Sequence, residues 1–139
     1  MPFVLDASAA LRWHFEDEFS QSAIEIALRA NDEGIVVPSY WQFETANGLV
    51  RGLREGRTSD EDVSTFIERL NDLSVDEHGF AQNDAFATVM PLATAHGLKM
   101  FDAGYLALAQ RLGIPLATFD RKLADAARSE GVEVLGLAG

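Results

Sequence analysis

Near its start the chain reads Phe3-Val4-Leu5-Asp6-Ala7-Ser8-Ala9-Ala10-Leu11, three large apolar residues followed by an aspartate and mostly small residues. The apolar triplet is typical of a buried strand, and the small residues predict a helix over residues 7–14. Asp6 lies at the junction, where aspartate is a favoured helix N-cap. The stretch therefore predicts a strand that leads directly into a helix, with a carboxylate at the turn between them.

The same alternation of strand and helix continues along the chain. Element ends are predicted at Gly34, Pro38 and Gly56. Capping boxes are predicted at two helix starts, from the pairs Ser39/Gln42 and Thr58/Glu61. Further strands are predicted over residues 35–37, 74–76, 115–119 and 132–135. Further helices are predicted over residues 18–30, 39–55, from 58 onward, 83–96, 102–112 and 120–129. Pro91 should kink or split the helix over residues 83–96. Strands joined by helices imply right-handed crossovers, so we predict an α/β fold: a central parallel sheet of about five strands flanked by helices in three layers.

Composition limits the class of protein. The 139 residues predict one domain spanning 1–139, and 47% hydrophobic with 24% charged residues is typical of a globular protein. No apolar run reaches membrane-spanning length, and the start lacks the pattern of a signal peptide. The absence of cysteine excludes disulfides and thiolate metal sites. These features predict a cytoplasmic protein without a membrane anchor. The formal charge of −11 repels nucleic acid on average, so an RNA-binding function requires local compensation.

Acidic residues follow the predicted strands. Asp6 follows the first strand, Asp120 follows the fourth, and Asp102 stands at another helix entry. Helix capping alone explains each aspartate taken singly. Glu44 is different, because it lies inside a helix where no cap is needed. Gly48, one turn later, is costly within a helix and indicates close approach by a neighbouring element.

The carboxyl ends of parallel strands share one edge of a sheet, where ligands bind in such folds. If the four carboxylates converge there, their repulsion requires a cation, and Mg²⁺ or Mn²⁺ prefers oxygen ligands. The spacing of His14, His78 and His96 does not indicate a zinc site.

Four segments carry a family resemblance. Val4 to Leu11 resembles the opening motif of PIN domains, and Glu44-Thr45-Ala46-Asn47 is similar to their second motif. The third and fourth motifs resemble Phe101-Asp102-Ala103-Gly104-Tyr105 and Thr118-Phe119-Asp120-Arg121-Lys122. Their order and their coverage of nearly the whole chain resemble VapC-type toxins of bacterial and archaeal toxin–antitoxin pairs.

The resemblance implies a metal-dependent endoribonuclease that hydrolyses RNA phosphodiester bonds. It implies an acidic site of Asp6, Glu44, Asp102 and Asp120, a Mg²⁺ cofactor with Mn²⁺ as the alternative, and supporting roles for Ser8, Asn47 and Thr118. It also implies a basic antitoxin partner and a homodimer. Turn and strand-end hydrogen bonding explain Ser8 and Thr118 equally well.

Cations near the fourth motif are candidate RNA contacts. Arg121 and Lys122 fall in the first turn of the last predicted helix, where the helix dipole disfavours positive charge, and phosphate binding would compensate. A pair between Arg121 and Asp125 is an equal alternative. Arg51, Arg54 and Arg57 form a second basic patch near the end of the third helix, where favourable dipole placement is a slightly better explanation than a role in binding. An antitoxin dock is predicted where Trp13, Phe15 and Phe19 surround Glu16, Asp17 and Glu18, with core packing the stronger explanation for Trp13.

Two other classes of function remain open. A phosphoacceptor receiver domain also has an acidic parallel sheet, but it requires paired acids after the first strand and a lysine at the end of the last, both missing here. A non-catalytic binding module would use the aspartates only as caps and docking residues.

Overall fold

The computed structural model describes residues 1–15 and 20–137. Its strands are β1 (Phe3–Leu5), β2 (Ile35–Pro38), β3 (Val75–His78), β4 (Leu116–Thr118) and β5 (Val134–Gly136). Its helices are α1 (Ala7–Arg12), α2 (Gln21–Glu33), α3 (Trp41–Arg54), α4 (Asp60–Asn71), α5 (Gln82–Asp84), a π-helical segment (Ala85–Val89), α6 (Met90–His96), α7 (Met100–Leu112) and α8 (Arg121–Ser129). None of these helices could span a membrane.

All five strands belong to one parallel sheet in the order β3-β2-β1-β4-β5, which confirms the predicted α/β fold. This order differs from the 2-1-3-4-5 order of flavodoxin-like folds such as receiver domains. The central strand β1 lies between β2 and β4, so the chain segments that leave these three strands begin at one edge of the sheet. That edge is where the sequence predicts the acidic residues.

Helices cover both faces of the sheet. The chain crosses the sheet in one direction from β1 to β3 and in the other from β3 to β5, so right-handed crossovers place the connecting helices on opposite faces. α7 packs on β1, β2 and β4, and α8 lies against α7 and β4. Seven consecutive residues of α7 are buried, from Ala103 to Ala109. This helix therefore forms the centre of one layer and fixes the position of Asp102 in its first turn.

The two predicted capping boxes are wrong. The amide of Ser39 donates to the carbonyl of His78 at 2.8 Å, so Ser39 still belongs to the sheet edge and α3 begins two residues later without a side-chain cap. α4 is capped by Ser59, whose Oγ accepts from the amide of Asp62 at 3.2 Å. Thr58 instead contacts His14, with Oγ1 and Nε2 separated by 2.7 Å.

Helical residues run without a gap from 82 to 96, so the kink or split expected at Pro91 takes the form of a π-helical segment before it and not of a break. Proline has no amide hydrogen to donate, and Pro91 stands in the first turn of α6, where that donor has no partner within the helix. The π-helical turn Ala85–Val89 precedes α6. Residues 16–19 lie outside the described residues, so the predicted start of the second helix near Glu18 is untested, and α2 begins at Gln21 with Ser20 as its cap.

Candidate active site

Asp6 is the most enclosed acid of the site. It caps α1, and its Oδ1 accepts hydrogen bonds from the amide of Ala9 and from Ser8 Oγ, both at 2.8 Å. Its Oδ2 accepts from Thr118 Oγ1 at 2.5 Å. Only 3% of Asp6 is exposed. Burial raises the pKa of Asp6 to about 6, although the hydrogen bonds from Thr118, Ala9 and Ser8 oppose the rise.

Thr118 connects Asp6 to the second acid, Asp120. Thr118 is fully buried at the end of β4, and its Oγ1 also accepts from the amide of Asp120 at 3.0 Å. Asp120 caps α8 by accepting from the amide of Leu123 at 3.0 Å and is itself exposed. Ser8 contacts Asp6 locally, as turn hydrogen bonding predicts, whereas Thr118 reaches Asp6 from a neighbouring strand.

Asp102 is not a helix cap. α7 begins at Met100 and Lys99 occupies the cap position, so Asp102 is the third residue of the helix and not its entry as predicted. Burial, followed by the charges of Asp120 and Glu44, raises the pKa of Asp102 to about 6, while Lys99 lowers it. The negative charge of Asp102 also raises the pKa of Asp6. Asp102 thus lies within electrostatic range of all three other acids.

Glu44 joins the site from α3. Tyr105, one turn after Asp102 on α7, donates its hydroxyl to Glu44 Oε1 at 2.8 Å. Burial and the charge of Glu44 raise the pKa of Tyr105, so this phenol stays protonated and keeps its donor. Tyr40 stands beside Tyr105, with ring centroids 5.4 Å apart, and the raised pKa of Tyr40 reflects burial and then Glu44, Asp102 and Asp6. Tyrosine rings therefore form one wall of the acidic site.

A cation would be the natural counter-charge for this arrangement. Burial is the main cause of the raised pKa values of Asp6 and Asp102, and neighbouring carboxylates add to it. All four acids present the oxygen atoms that Mg²⁺ and Mn²⁺ prefer. In the described part of the chain, no three acidic or histidine side chains are close enough together to form a complete metal cage. The donor chemistry of these four side chains fits a divalent cation.

The other predicted site residues lie around this cluster. Asn47 is exposed one turn after Glu44. Arg121 and Lys122 are exposed in the first turn of α8, directly after Asp120. Asp125 lies 3.8 Å from Arg128. Each histidine has its own separate contact, His14 with Thr58, His78 with Asp76 and His96 with Glu130.

The predicted antitoxin dock is described only in part. Its residues Glu16, Asp17, Glu18 and Phe19 lie outside the described ranges. Phe15 is buried, and Trp13 donates its indole nitrogen to the carbonyl of Ala23 at 3.0 Å and packs against the core. Packing therefore explains Trp13, as the sequence favoured.

Sequence reasoning missed three residues of the site. No site role was assigned from the sequence to Tyr40, Tyr105 or Lys99. Tyr105 follows Asp102 by three residues, a spacing that puts both on one face of a helix and could have identified it.

Known proteins resemble this chain over most of its length. The family model of the PIN domain matches residues 3–129. Ribonuclease VapC3 from Pyrobaculum aerophilum is 33% identical over 129 residues, which cover 90% of this chain and 94% of that protein. The crystal structure of PAE2754 from Pyrobaculum aerophilum superposes with a TM-score of 0.69 at 22% identity, covering 96% of this chain and 89% of that one. At that identity the superposition supports the fold alone.

Proposed function

The chain belongs to the PIN domain family, and from that premise we propose that it is a divalent-metal-dependent endoribonuclease of the VapC type, the toxin of a toxin–antitoxin pair. The observation that carries the proposal is a set of contacts at the carboxyl edge of the sheet. Thr118 donates to Asp6 and accepts from the amide of Asp120, while Tyr105, one turn after Asp102, donates to Glu44. Helix capping explains Asp6 and Asp120. It does not explain Asp102 or Glu44, so a purely structural role does not account for all four acids.

The proposed reaction is hydrolysis of an RNA phosphodiester. A water oxygen attacks phosphorus, the bond to the leaving ribose oxygen breaks, and that oxygen takes up a proton. Asp6 and Asp102 are the first candidates to hold Mg²⁺ or Mn²⁺, with Asp120 and Glu44 as further ligands. The cation, when bound, would neutralise phosphate charge and acidify water.

The surrounding residues prepare the carboxylates. Ser8 and Thr118 fix the orientation of Asp6 through their hydroxyl groups, and Tyr105 fixes one oxygen of Glu44. A pKa of about 6 leaves Asp6 and Asp102 ionised at neutral pH, so they can bind a cation without first losing a proton. Such preorganisation reduces the cost of assembling the site when substrate binds.

The net charge and the exposed apolar surface of the protein indicate what kinds of partner it would bind. A net charge of −11 suits a basic antitoxin, and an apolar cavity of about 240 Å³ lined by Trp13, Phe66 and Leu70 offers it a contact. A homodimer would cover Phe43 and Phe101, which are 82% and 52% exposed. We place this activity in the cytoplasm, where RNA substrates and a co-expressed antitoxin would be present.

The test is RNA cleavage by the purified protein in Mg²⁺ or Mn²⁺. Asp102→Asn should lower the cleavage rate at least about 100-fold, because it removes the charge at the centre of the acidic set. Asp32→Asn, which changes an exposed aspartate of α2, is the matched control. Unchanged metal-dependent cleavage in both Asp6→Asn and Asp102→Asn would contradict the assignment of the site, whereas no cleavage by the wild-type protein would favour a binding module. Sequencing the 5′ ends of RNA fragments from cells would identify the target.

A further inference from the structure

A small cavity of about 200 Å³ adjoins the acidic site. We call it the arginine cavity. Ser8 and Asp120 line it and belong to the acidic site, while Arg12, Arg51 and Arg57 line it as well. In a chain with a net charge of −11, three arginines around one small cavity reverse the local sign of charge. Anionic ligands are attracted to such a place over distances of about 8 Å at physiological salt.

Close packing of α1 on α3 gives the cavity its shape. A Cβ atom added at Gly48 would lie 2.3 Å from Leu11 Cδ1, and one added at Gly52 would lie 2.6 Å from Phe15 Cζ. The two glycines thus let α1 and the residues after it approach α3. This confirms the close approach that Gly48 indicated in the sequence, because Leu11 and Phe15 fill the space beside the two glycines.

Both helices run away from the acids, because Asp6 caps α1 and Glu44 lies in the first turn of α3. Leu11 faces Gly48 and Phe15 faces Gly52, so α1 and α3 point in the same direction. Asp6 precedes Arg12 by six residues on α1, and Glu44 precedes Arg51 by seven on α3. At 1.5 Å per residue, each arginine lies roughly 10 Å along its helix from the acid. One nucleic-acid strand can therefore reach the acids and the arginines together.

Aromatic rings orient two of the guanidinium groups. Arg12 stacks over Phe119 at 4.4 Å from the ring centroid, and Arg57 stacks over Phe15 at 4.3 Å. Stacking restrains the planar guanidinium groups of these two arginines at the wall of the cavity. Arg51 is exposed, and no carboxylate of the described ranges forms an ion pair with it. The cavity therefore offers oriented donors of the kind that bind phosphate.

We infer that the arginine cavity binds a phosphate of the substrate strand that flanks the phosphate to be cleaved. The inference rests on the proposed ribonuclease function and deepens it, since the substrate must then be a strand that extends past the cleaved bond as far as Arg51. An acidic peptide is the competing occupant, because carboxylates also pair with arginine. Phosphate is favoured because the cavity shares Ser8 and Asp120 with the acidic site.

Binding of a labelled single-stranded RNA to the Asp102→Asn protein tests the inference without cleavage. Arg51→Gln should weaken binding about tenfold, as expected for loss of one charged hydrogen-bonding partner. It should also reduce the slope of log affinity against log salt by about 0.7, the value for one phosphate contact on a single strand. Arg54→Gln is the matched control, because Arg54 is exposed on the same helix and does not line the cavity. It should leave the slope unchanged.

The phosphate itself can be tested by moving one uncharged methylphosphonate linkage along the oligonucleotide. One flanking position should weaken binding to the Asp102→Asn protein about as much as Arg51→Gln does, and combining the two changes should cost little more. Equal effects of Arg51→Gln and Arg54→Gln would overturn the inference. So would an Arg51→Gln variant that loses affinity for polyglutamate but not for RNA. If the wild-type protein fails to cleave RNA while the Arg51 effect on binding persists, the proposed function falls and the phosphate site stands.

Discussion

Asp6 is a carboxylate held by three hydrogen bonds in a place that excludes water. Its pKa is raised from 3.8 to about 6, so the folded protein binds this proton more tightly than the unfolded chain does. The contribution of Asp6 to the free energy of unfolding is therefore most favourable below about pH 4 and declines as pH rises through 6.

Asp6→Asn should remove that decline. The free energies of unfolding of the variant and of wild type are compared without divalent cations. Their difference, variant minus wild type, should rise by about 2–3 kcal/mol between pH 4 and pH 8, since the pKa of Asp6 is shifted by roughly two units. Urea unfolding across this range gives the difference. Asp32→Asn controls for loss of one negative charge. If the free energies of unfolding of wild type and Asp6→Asn depend on pH in the same way, burial does not destabilise the ionised form of Asp6.

Tyr105 provides a second prediction at the residue scale. Tyr105→Phe keeps the ring but removes the hydroxyl that donates to Glu44 Oε1. Loss of a partner that orients a ligand typically costs 10–100-fold in metal affinity or activity, so the Mg²⁺ concentration for half-maximal RNA cleavage should rise about tenfold. Tyr40→Phe is the matched comparison, because its hydroxyl donates to the carbonyl of Phe101 instead of to a carboxylate. Equal metal dependence in the two variants would contradict a role for Tyr105 in orienting Glu44.

These residues also show what sequence can and cannot predict about a site. The sequence identified Asp6, Glu44, Asp102 and Asp120 as candidates because acids after strands, or inside a helix without a cap to make, stand out from the pattern. It did not identify Tyr105, because hydrophobic periodicity records that a ring is buried and not where its hydroxyl points.

At the scale of elements, α7 and the start of α3 depend on one glycine. A Cβ atom at Gly104 would lie 2.1 Å from the hydroxyl of Tyr40. Helix propensity predicts that Gly104→Ala stabilises α7 by about 1 kcal/mol. The contact predicts the opposite, because overpacking a buried position typically costs about 1–3 kcal/mol.

Gly104→Ala should therefore lower the free energy of unfolding by about 1–2 kcal/mol. Tyr40→Phe removes the obstructing oxygen, so the double variant should be more stable than the sum of the single effects. Chemical denaturation of the four proteins completes the cycle. Additive effects would mean that the hydroxyl of Tyr40 is not what requires glycine at position 104.

Element boundaries were predicted less well than element types, and the cause is tertiary. Ser39 has the composition of a cap, yet its amide is engaged by the carbonyl of His78 on the neighbouring strand, so the helix starts later. Thr58 likewise contacts His14 from a distant segment. Local propensity does not include partners that arrive from elsewhere in the chain. The apolar runs of β1, β2 and β4, which are buried on both faces, were predicted within about a residue because burial itself fixes their pattern.

At the scale of the whole molecule, the charge of −11 and the facing acids act in the same direction. Both destabilise the folded state. The net charge does so through diffuse repulsion, which salt screens, and the facing acids do so through local repulsion in a half-buried site, which salt screens poorly. A divalent cation at the site would relieve the local term specifically. Monovalent salt and divalent cation should therefore stabilise the protein by separable amounts.

Mg²⁺ or Mn²⁺ should raise the thermal midpoint of the wild-type protein at constant ionic strength. At ten times the dissociation constant, binding contributes about 1.4 kcal/mol, which is roughly 4–6 °C for a chain of this size. Asp102→Asn should start from a higher midpoint without divalent cation, because one of the facing charges is gone, and should gain little on adding it. Differential scanning calorimetry with KCl matched for ionic strength measures both effects. Asp32→Asn should respond to the cation as wild type does, because Asp32 lies on α2 outside the acidic site. An equal rise in Asp102→Asn and wild type would mean that the cation stabilises the protein by screening its overall charge, and the acidic edge of the sheet would not be a metal site.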